Sequence, residues 1–177
     1  MTITLTDANN LPEPHKQMVQ TPQASSPEEF SPEDIAGELS AFKALSTDDK
    51  LGLLWEIYKK MGDSITPAAP GSAEPQFTEK LYEAVKGMDN DGQLNFMRDL
   101  CNKASTENTK TYSSFDANNK LYFWYHLSEG MDAGEIVQVP DDYELPSGAS
   151  DLLTKIEQMD FNQQITLLRQ SVIDMGA

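Results

Sequence analysis

Apolar side chains recur at intervals of three and four residues over most of the chain, with polar side chains between them. This spacing is typical of amphipathic helices that bury one face. The apolar positions of the predicted helices, in chain order, are Ile35, Leu39 and Phe42; Leu51, Leu54, Trp55, Tyr58 and Met61; Phe77, Leu81, Ala84 and Met88; Leu94, Met97, Leu100 and Cys101; Leu121, Trp124, Tyr125 and Ser128; Leu152, Leu153, Ile156 and Met159; and Ile165, Leu168, Val172 and Met175. Only residues 136–139 resemble a strand, and Pro140 interrupts them. The pattern predicts an all-α protein.

Short polar residues mark where these helices begin, because a Ser or Asp side chain can accept a hydrogen bond from a free backbone N–H of the first turn. The predicted starts are Ser31, Ser46, Asp116, either Ser147 or Ser150, and Asp160. Glycines at 62, 134 and 176 mark predicted ends. Between the fourth and fifth of these helices the chain is polar, with Asn108, Ser113 and Ser114, and we expect a connection there.

The first thirty residues differ from the remainder in composition. Residues 1–30 contain four of the ten prolines, no Trp or Tyr and a single Phe. Such a segment buries too little apolar surface to offset the entropy of ordering it. We therefore expect a flexible N-terminal arm over residues 1–30 and a helical domain over residues 31–177.

Three helix starts share one sequence template. The segments 45–55, 88–98 and 159–169 each have Asp or Asn at the fourth position, Lys or Gln at the sixth and Leu or Ile at the seventh. One interpretation is that any capped amphipathic helix looks like this. The other is a duplicated helical unit, which would give two helical subdomains with a ligand-sized seam between them.

The charge balance narrows the classes of partner. The chain has 13 Lys and Arg against 29 Asp and Glu, a net charge of −16. Because a surface of that sign repels phosphate backbones and anionic lipid headgroups, it predicts no nucleic-acid partner and no membrane insertion. The single cysteine and the absence of a secretory signal pattern favour a cytoplasmic protein.

Catalytic motifs are missing from the sequence. It contains no nucleophile elbow, P-loop, dinucleotide-binding fingerprint or zinc-protease motif. His126 is more often a packing or surface residue than a base in such a helix, and Cys101 occupies an apolar position that suits an inert thiol. We expect no enzyme activity and no metal site.

The segment LYFWYHL at residues 121–127 places aromatic rings on every side of one helix. These rings could simply be core. Alternatively, Trp124 and Tyr125 could line one apolar slot with Trp55 and Tyr58, with Met61, Met97 and Met131 in reach and no charge except Arg169. Flat rings and adaptable thioethers suit an extended conjugated hydrocarbon.

Four segments resemble the N-terminal, carotenoid-binding domain of the orange carotenoid protein of cyanobacteria: LLWEIYKKMGDSITPAAPG (53–71), NNKLYFWYHLSEGMDAG (118–134), VQVPDDYELP (137–146) and QQITLLRQSVIDMG (163–176). The resemblance implies two interleaved four-helix bundles around one ketocarotenoid, namely canthaxanthin, echinenone or 3'-hydroxyechinenone. Two-domain members of the family continue into a second α/β domain. We therefore expect a stand-alone helical carotenoid protein without a light-driven switch.

The resemblance also implies a set of pigment-contacting residues, because each matches a position that lines the family's tunnel. These are Leu51, Leu54, Trp55, Tyr58, Pro70, Gly71, Met97, Leu121, Trp124, Tyr125, Met131, Val139, Pro140, Tyr143, Ile165, Thr166 and Arg169. Arg169 matches an arginine that ties the two domains together in larger members and helps them to dock on the phycobilisome. Three positions depart from the family: Arg98 replaces a frequent Cys, Tyr122 replaces a small residue, and Glu56 replaces an apolar one. We expect Arg98 to alter the docking surface, and Tyr122 either to narrow the tunnel or to pack against a neighbour.

The leading interpretation is a non-enzymatic photoprotective protein that quenches singlet oxygen. Within the same class, the alternatives are a quencher of phycobilisome excitation and a carotenoid carrier that serves a separate homologue of the C-terminal domain. The net charge of −16 disfavours docking on acidic phycobiliproteins. From another class, the alternative is a pigment-free helical interaction module. The chain is expected to be a monomer or weak dimer, and a place near the thylakoid surface is compatible with a cytoplasmic protein.

Overall fold

The computed structural model describes residues 35–62 and 75–177, and within these ranges all regular structure is helical. The helices are α1 (Ala36–Ala44), α2 (Thr47–Met61), α3 (Pro75–Lys86), α4 (Asn90–Asn102), α5 (Glu107–Ser113), α6 (Ala117–Ala133), α7 (Ser147–Gln158) and α8 (Phe161–Ile173). The prediction of an all-α protein is confirmed.

Side-chain caps start three of the helices where the sequence predicts them. Ser46, Asp116 and Asp160 each accept a hydrogen bond from the backbone N–H three residues later, at 2.8 to 3.2 Å. Gly134 ends α6 in the left-handed conformation with a φ of 78°, which costs glycine little because it has no Cβ. Helix α7 begins at Ser147, after Pro146 and without a side-chain cap.

The buried face of α3 differs from the predicted one. Phe77 is 59% exposed, and Ala84 is also exposed. The helix instead buries Thr78, Leu81, Tyr82 and Val85. Thr78 can lie in the core because its hydroxyl donates a hydrogen bond to the carbonyl of Pro75 at 3.1 Å, which satisfies the polar group.

The predicted polar connection around residues 107–113 is wrong, because this stretch forms helix α5. Thr106 and Thr109 make a reciprocal capping box at its start, a role that Glu or Gln more often fills at the second position. Helix α5 is short, and it packs into the core through the side chain of Tyr112, which is fully buried.

Several predictions fall outside the described residues. The arm at 1–30 and the helix start at Ser31 lie there. At the other end of the chain, α8 ends at Ile173, so Met175 lies beyond the helix that was expected to include it, although its side chain is buried.

Helix α6 packs against α8, α3 and α2. Helix α2 also packs against α4 and α7, while α1 packs against α7 and α8. The division into two interleaved four-helix bundles stays a prediction. No helix within the described ranges is long and apolar enough to cross a membrane. Because α2 packs on α6, aromatic residues of the two helices come into contact there.

Candidate functional site

Two cavities lie side by side against α2 and α6. The larger has a volume of about 290 Å³ and the smaller about 50 Å³. Leu54, Trp124 and Ser128 border both. The rest of the smaller wall consists of Ile57, Tyr58, Gly62, Leu121, Tyr125, Leu168 and Val172. The rest of the larger wall consists of Asp48, Leu51, Gly52, Trp55, Leu94, Met97, Arg98, Met131, Val137, Gln138, Val139, Pro140 and Tyr143. The two cavities are therefore neighbours that both border the side chain of Trp124.

Aromatic rings form a continuous contact along one side of the cavities. Trp55 and Tyr58 stand three residues apart on α2, so they share a face of the helix. Their rings stack with centroids 5.7 Å apart at an angle of 22°. Tyr58 meets Tyr125 of α6 edge to face, at 5.7 Å and 71°. Such a wall offers flat apolar surfaces to a ligand that is itself flat.

A hydrogen-bond chain across three helices holds the indole of Trp124. Its Nε1–H donates to the hydroxyl of Tyr112 at 3.0 Å, and that hydroxyl donates to the carbonyl of Val172 at 2.7 Å. Burial raises the pKa of Tyr112 well above its usual value, so the phenol keeps its proton and remains a donor. The indole that borders both cavities therefore has a fixed orientation.

The segment after α6 closes one side of the larger cavity, and the buried side chain of Gln93 holds it. The Gln93 amide donates to the carbonyl of Glu135 at 3.2 Å and accepts from the N–H of Val137 at 2.7 Å. Gln138 donates to the carbonyl of Met131 at 2.6 Å. These bonds give an extended segment without a strand partner a defined position at the cavity.

Charged groups occupy part of the larger cavity's wall. Arg98 forms a two-pronged pair with Asp48, with Nε to Oδ1 at 2.9 Å and Nη2 to Oδ2 at 3.2 Å. The hydrogen bond to Asp48 raises the pKa of Arg98. Beside them, the Tyr143 hydroxyl donates to Asp49 Oδ1 at 2.6 Å. The pKa of Tyr143 is raised, mainly by burial of the phenol and secondly by this hydrogen bond. The wall thus combines apolar side chains with this polar group, and Ser128 and Gln138 are its other polar members.

Space for the Tyr143 ring comes from Gly52 on α2. A methyl group at position 52 would overlap the ring, with 2.9 Å to Cζ. A glycine in the middle of a helix costs stability relative to alanine. The close approach of the aromatic ring accounts for a glycine here.

Most of the predicted site residues come together at these cavities. Those that line one or both are Leu51, Leu54, Trp55, Tyr58, Met97, Leu121, Trp124, Tyr125, Met131, Val139, Pro140 and Tyr143. Pro70 and Gly71 lie outside the described residues. Ile165, Thr166 and Arg169, all on α8, line neither cavity. Whether this set contacts a pigment stays a prediction.

Two details of the predicted slot do not match these walls. Met61 is not part of either wall, and its sulfur instead accepts a hydrogen bond from Gln164 at 3.3 Å. Arg169 is not the charge in the lining, which instead holds Asp48 and Arg98. Within the described ranges, the buried Nε of Arg169 has no hydrogen-bond partner. Of the two alternatives for Tyr122, the structure favours packing: its ring lies 5.8 Å from that of His126.

Sequence reasoning missed several residues of the walls. Leu94, Ser128, Leu168 and Val172 lie on predicted buried faces, so helical periodicity pointed to their burial but not to a cavity. In the sequence, Asp48 is the fourth residue of the template segment 45–55 and indicates only a helix start. Its pairing with Arg98 spans fifty residues, and only the packing of α2 on α4 brings the two together.

Within the described part of the chain, the surroundings of Cys101 and His126 and the spacing of possible metal ligands do not favour catalysis or metal binding. Among the described residues, no cluster of three His, Cys, Asp or Glu side chains could hold a metal ion. Burial raises the pKa of Cys101 to about 12, which keeps the thiol protonated. His126 stacks on Tyr82 with ring centroids 3.6 Å apart. Neither group has the setting of a nucleophile or a base.

Comparison with known proteins gives the family. A family model described as the N-terminal part of the orange carotenoid protein matches residues 28–177. The chain belongs to this orange carotenoid protein N-terminal family. An orange carotenoid-binding domain-containing protein of Nostoc sp. is 46% identical over 80% of this chain and 83% of its own length.

Longer family members match over part of their length. The orange carotenoid-binding protein of Limnospira maxima is 39% identical over 89% of this chain, which spans 50% of that protein.

Among solved structures, a red carotenoid protein of Anabaena (Nostoc) sp. with bound canthaxanthin has a TM-score of 0.74 and 38% identity. The match covers 81% of this chain and 98% of that one. The helical fold of the family is therefore shared by this chain.

Proposed function

We propose that this protein binds one ketocarotenoid in the two cavities and uses it for photoprotection as a quencher of singlet oxygen. The observation that carries the proposal is the aromatic wall of Trp55, Tyr58, Trp124 and Tyr125 beside two neighbouring, largely apolar cavities. Family members support it, since a related red carotenoid protein of known structure binds canthaxanthin.

The chemistry of the walls fits a polyene. Burial of apolar surface contributes about 25 cal/mol per Å², so a long hydrocarbon gains affinity from each apolar wall it contacts. The larger cavity, at about 290 Å³, approaches the volume of pockets that hold drug-sized ligands. Trp124, which borders both cavities, offers its indole to a ligand that spans both.

Quenching of singlet oxygen needs no proton transfer. The conjugated chain of the pigment accepts the excitation energy and releases it as heat, while the protein holds the chain in one shape and leaves oxygen a route to it. The absence of a light-driven switch stays a prediction, which the visible spectrum before and after blue illumination would check.

Docking on a phycobilisome is the less favoured role. Such docking needs cations free to meet an acidic partner. Arg98 is engaged by Asp48 through two hydrogen bonds, and the net charge of the chain is −16. Both observations favour a quencher that acts in solution over one that acts on the antenna.

Production of the full chain in carotenoid-synthesising cells tests the proposal. We expect a coloured protein with a visible absorption band, and lower pigment occupancy in Trp55→Ala and Trp124→Ala, because each loses a ring at a cavity. Lys110→Ala, an exposed change on α5, serves as the control. A colourless wild-type protein would instead support the pigment-free helical module.

A second measurement separates quenching from storage. The decay of singlet oxygen from a photosensitiser is compared for pigment-loaded and pigment-free protein at equal concentration. We expect a several-fold faster decay with the loaded protein. Equal decay rates would favour the carrier role over quenching.

A further inference from the structure

In one part of the larger cavity, a charged hydrogen-bond donor lies beside apolar side chains. Asp48 and Arg98 line it together with Leu51, Leu94 and Val139. The Arg98 side chain is 40% exposed, so its guanidinium stands at the rim, partly covered by the protein. A polar group in this position meets any ligand that fills the cavity.

The pair with Asp48 leaves part of the guanidinium available. A guanidinium carries five N–H groups, and two nitrogens, Nε and Nη2, face the carboxylate. The carboxylate therefore fixes the plane of the guanidinium, while Nη1 takes no part in the pair. A two-pronged pair of this kind sets orientation better than a single contact does.

The other polar groups of the rim are already committed. The Tyr143 hydroxyl donates its only proton to Asp49 at 2.6 Å. Asp48 can only accept, and both of its oxygens face Arg98. Ser128 donates to the carbonyl of Trp124 at 3.0 Å. Gln138, which also lines the cavity, donates to the carbonyl of Met131. Arg98 is thus the charged donor of this wall that a ligand can use, and it calls for an oxygen acceptor on an otherwise apolar ligand.

We propose that Arg98 selects carotenoids with an oxygenated end ring by donating a hydrogen bond to a ring keto or hydroxyl oxygen, with Asp48 as the positioning residue. This inference rests on the proposed function and deepens it. A ring without oxygen would cover the guanidinium without offering an acceptor, and partial burial of an unpaired donor costs free energy. This free-energy cost arises when a hydrocarbon carotenoid binds and not when a ketocarotenoid binds. Such a difference in binding free energy makes the site select the ketocarotenoid.

Affinities of the full-length protein for canthaxanthin and β-carotene test the proposal, measured by quenching of tryptophan fluorescence. A net hydrogen bond of ordinary strength corresponds to a preference of about threefold to tenfold for canthaxanthin. Arg98→Met keeps a long side chain over the rim and removes every donor. We expect this variant to lose the preference and to bind β-carotene at least as well as the wild type.

Two further variants complete the design. Arg98→Gln retains an amide donor with a shorter reach, so we expect it to keep part of the preference. Lys110→Met, on the exposed surface of α5, removes a positive charge away from the cavities and should keep the wild-type ratio. Circular dichroism of each variant checks that the fold is retained.

The outcomes separate this inference from the proposed function. If Arg98→Met weakens both pigments equally, the side chain is only a cover for the cavity, and the hydrogen bond is refuted. An unchanged preference in Arg98→Met refutes it as well. If the wild-type protein binds neither pigment, the proposed function fails, and this inference fails with it.

Discussion

Replacement of Tyr112 by Phe tests whether the buried hydrogen-bond chain stabilises the fold and fixes the indole that borders both cavities. The substitution removes one oxygen atom and leaves the ring in place. That oxygen accepts from Trp124 Nε1 at 3.0 Å and donates to the carbonyl of Val172 at 2.7 Å. Tyr112 is fully buried and Trp124 nearly so, so water cannot easily replace the lost partner.

The two bonds differ in what their loss costs. The Val172 carbonyl retains a partner, because it also accepts from the N–H of Met175 at 3.3 Å. The indole N–H of Trp124 is left without one, and an unsatisfied buried donor costs about 1–3 kcal/mol. We therefore expect Tyr112→Phe to lower the free energy of unfolding by about 2 kcal/mol. For a chain of this length, that corresponds to a loss of about 4–8 °C in Tm.

Urea unfolding followed by far-ultraviolet circular dichroism measures this change in the free energy of unfolding. Tyr122→Phe is the matched control, because burial and nearby acids, rather than a hydrogen bond, perturb this hydroxyl. We expect the control to change stability by less than about 0.5 kcal/mol. Equal stabilities of Tyr112→Phe and the wild type would refute the reasoning, as would equal losses in both variants.

Two further predictions concern a close contact and a buried thiol. Gly52→Ala should cost about 1–3 kcal/mol and lower pigment occupancy, because the new methyl group overlaps the Tyr143 ring. Gly148→Ala, where no atom lies within 4 Å of the new methyl, should be neutral or slightly stabilising, and similar losses in both variants would contradict the role of the ring. Cys101, with its pKa raised to about 12 by burial, should react with a thiol reagent at neutral pH at least about tenfold more slowly than in urea-unfolded protein. A rate that is the same in both states would show that the thiol is not protected by the fold.

Sequence periodicity predicted the longer helices because each combines a capping side chain with a repeated apolar face. It failed for α5, whose polar sequence conceals two buried residues, Thr109 and Tyr112, and Tyr112 makes the hydrogen bonds to α6 and α8. It also failed at the start of α3. There, a threonine with an internally satisfied hydroxyl is buried, and Phe77 remains on the surface. In both places burial depends on side-chain hydrogen bonds, tertiary for Tyr112 and local for Thr78, which apolar spacing does not record.

The aromatic part of the site was predictable, and its polar part was not. Trp55 and Tyr58 share a helix face, so their joint position follows from spacing alone. The place of Trp124 opposite them follows from the family resemblance and from the packing of α2 on α6. The pairing of Asp48 with Arg98 depends on how α2 lies on α4, and sequence spacing carries no information on that geometry.

The shared template of the three helix starts can now be separated into a local and a tertiary part. Its second position is the N-cap in every copy, filled by Ser46, Asp89 and Asp160, which any capped helix would show. In two copies, the residue at the sixth position also makes a hydrogen bond to the preceding helix. Gln93 donates to the carbonyl of Lys86 at 3.3 Å, and Gln164 donates to that of Ile156 at 2.9 Å. In both, a buried amide ties the start of one helix to the end of the helix before it. Capping does not require this contact, so the α3–α4 and α7–α8 pairs share a tertiary feature that favours duplication of a two-helix unit over chance similarity of helix starts.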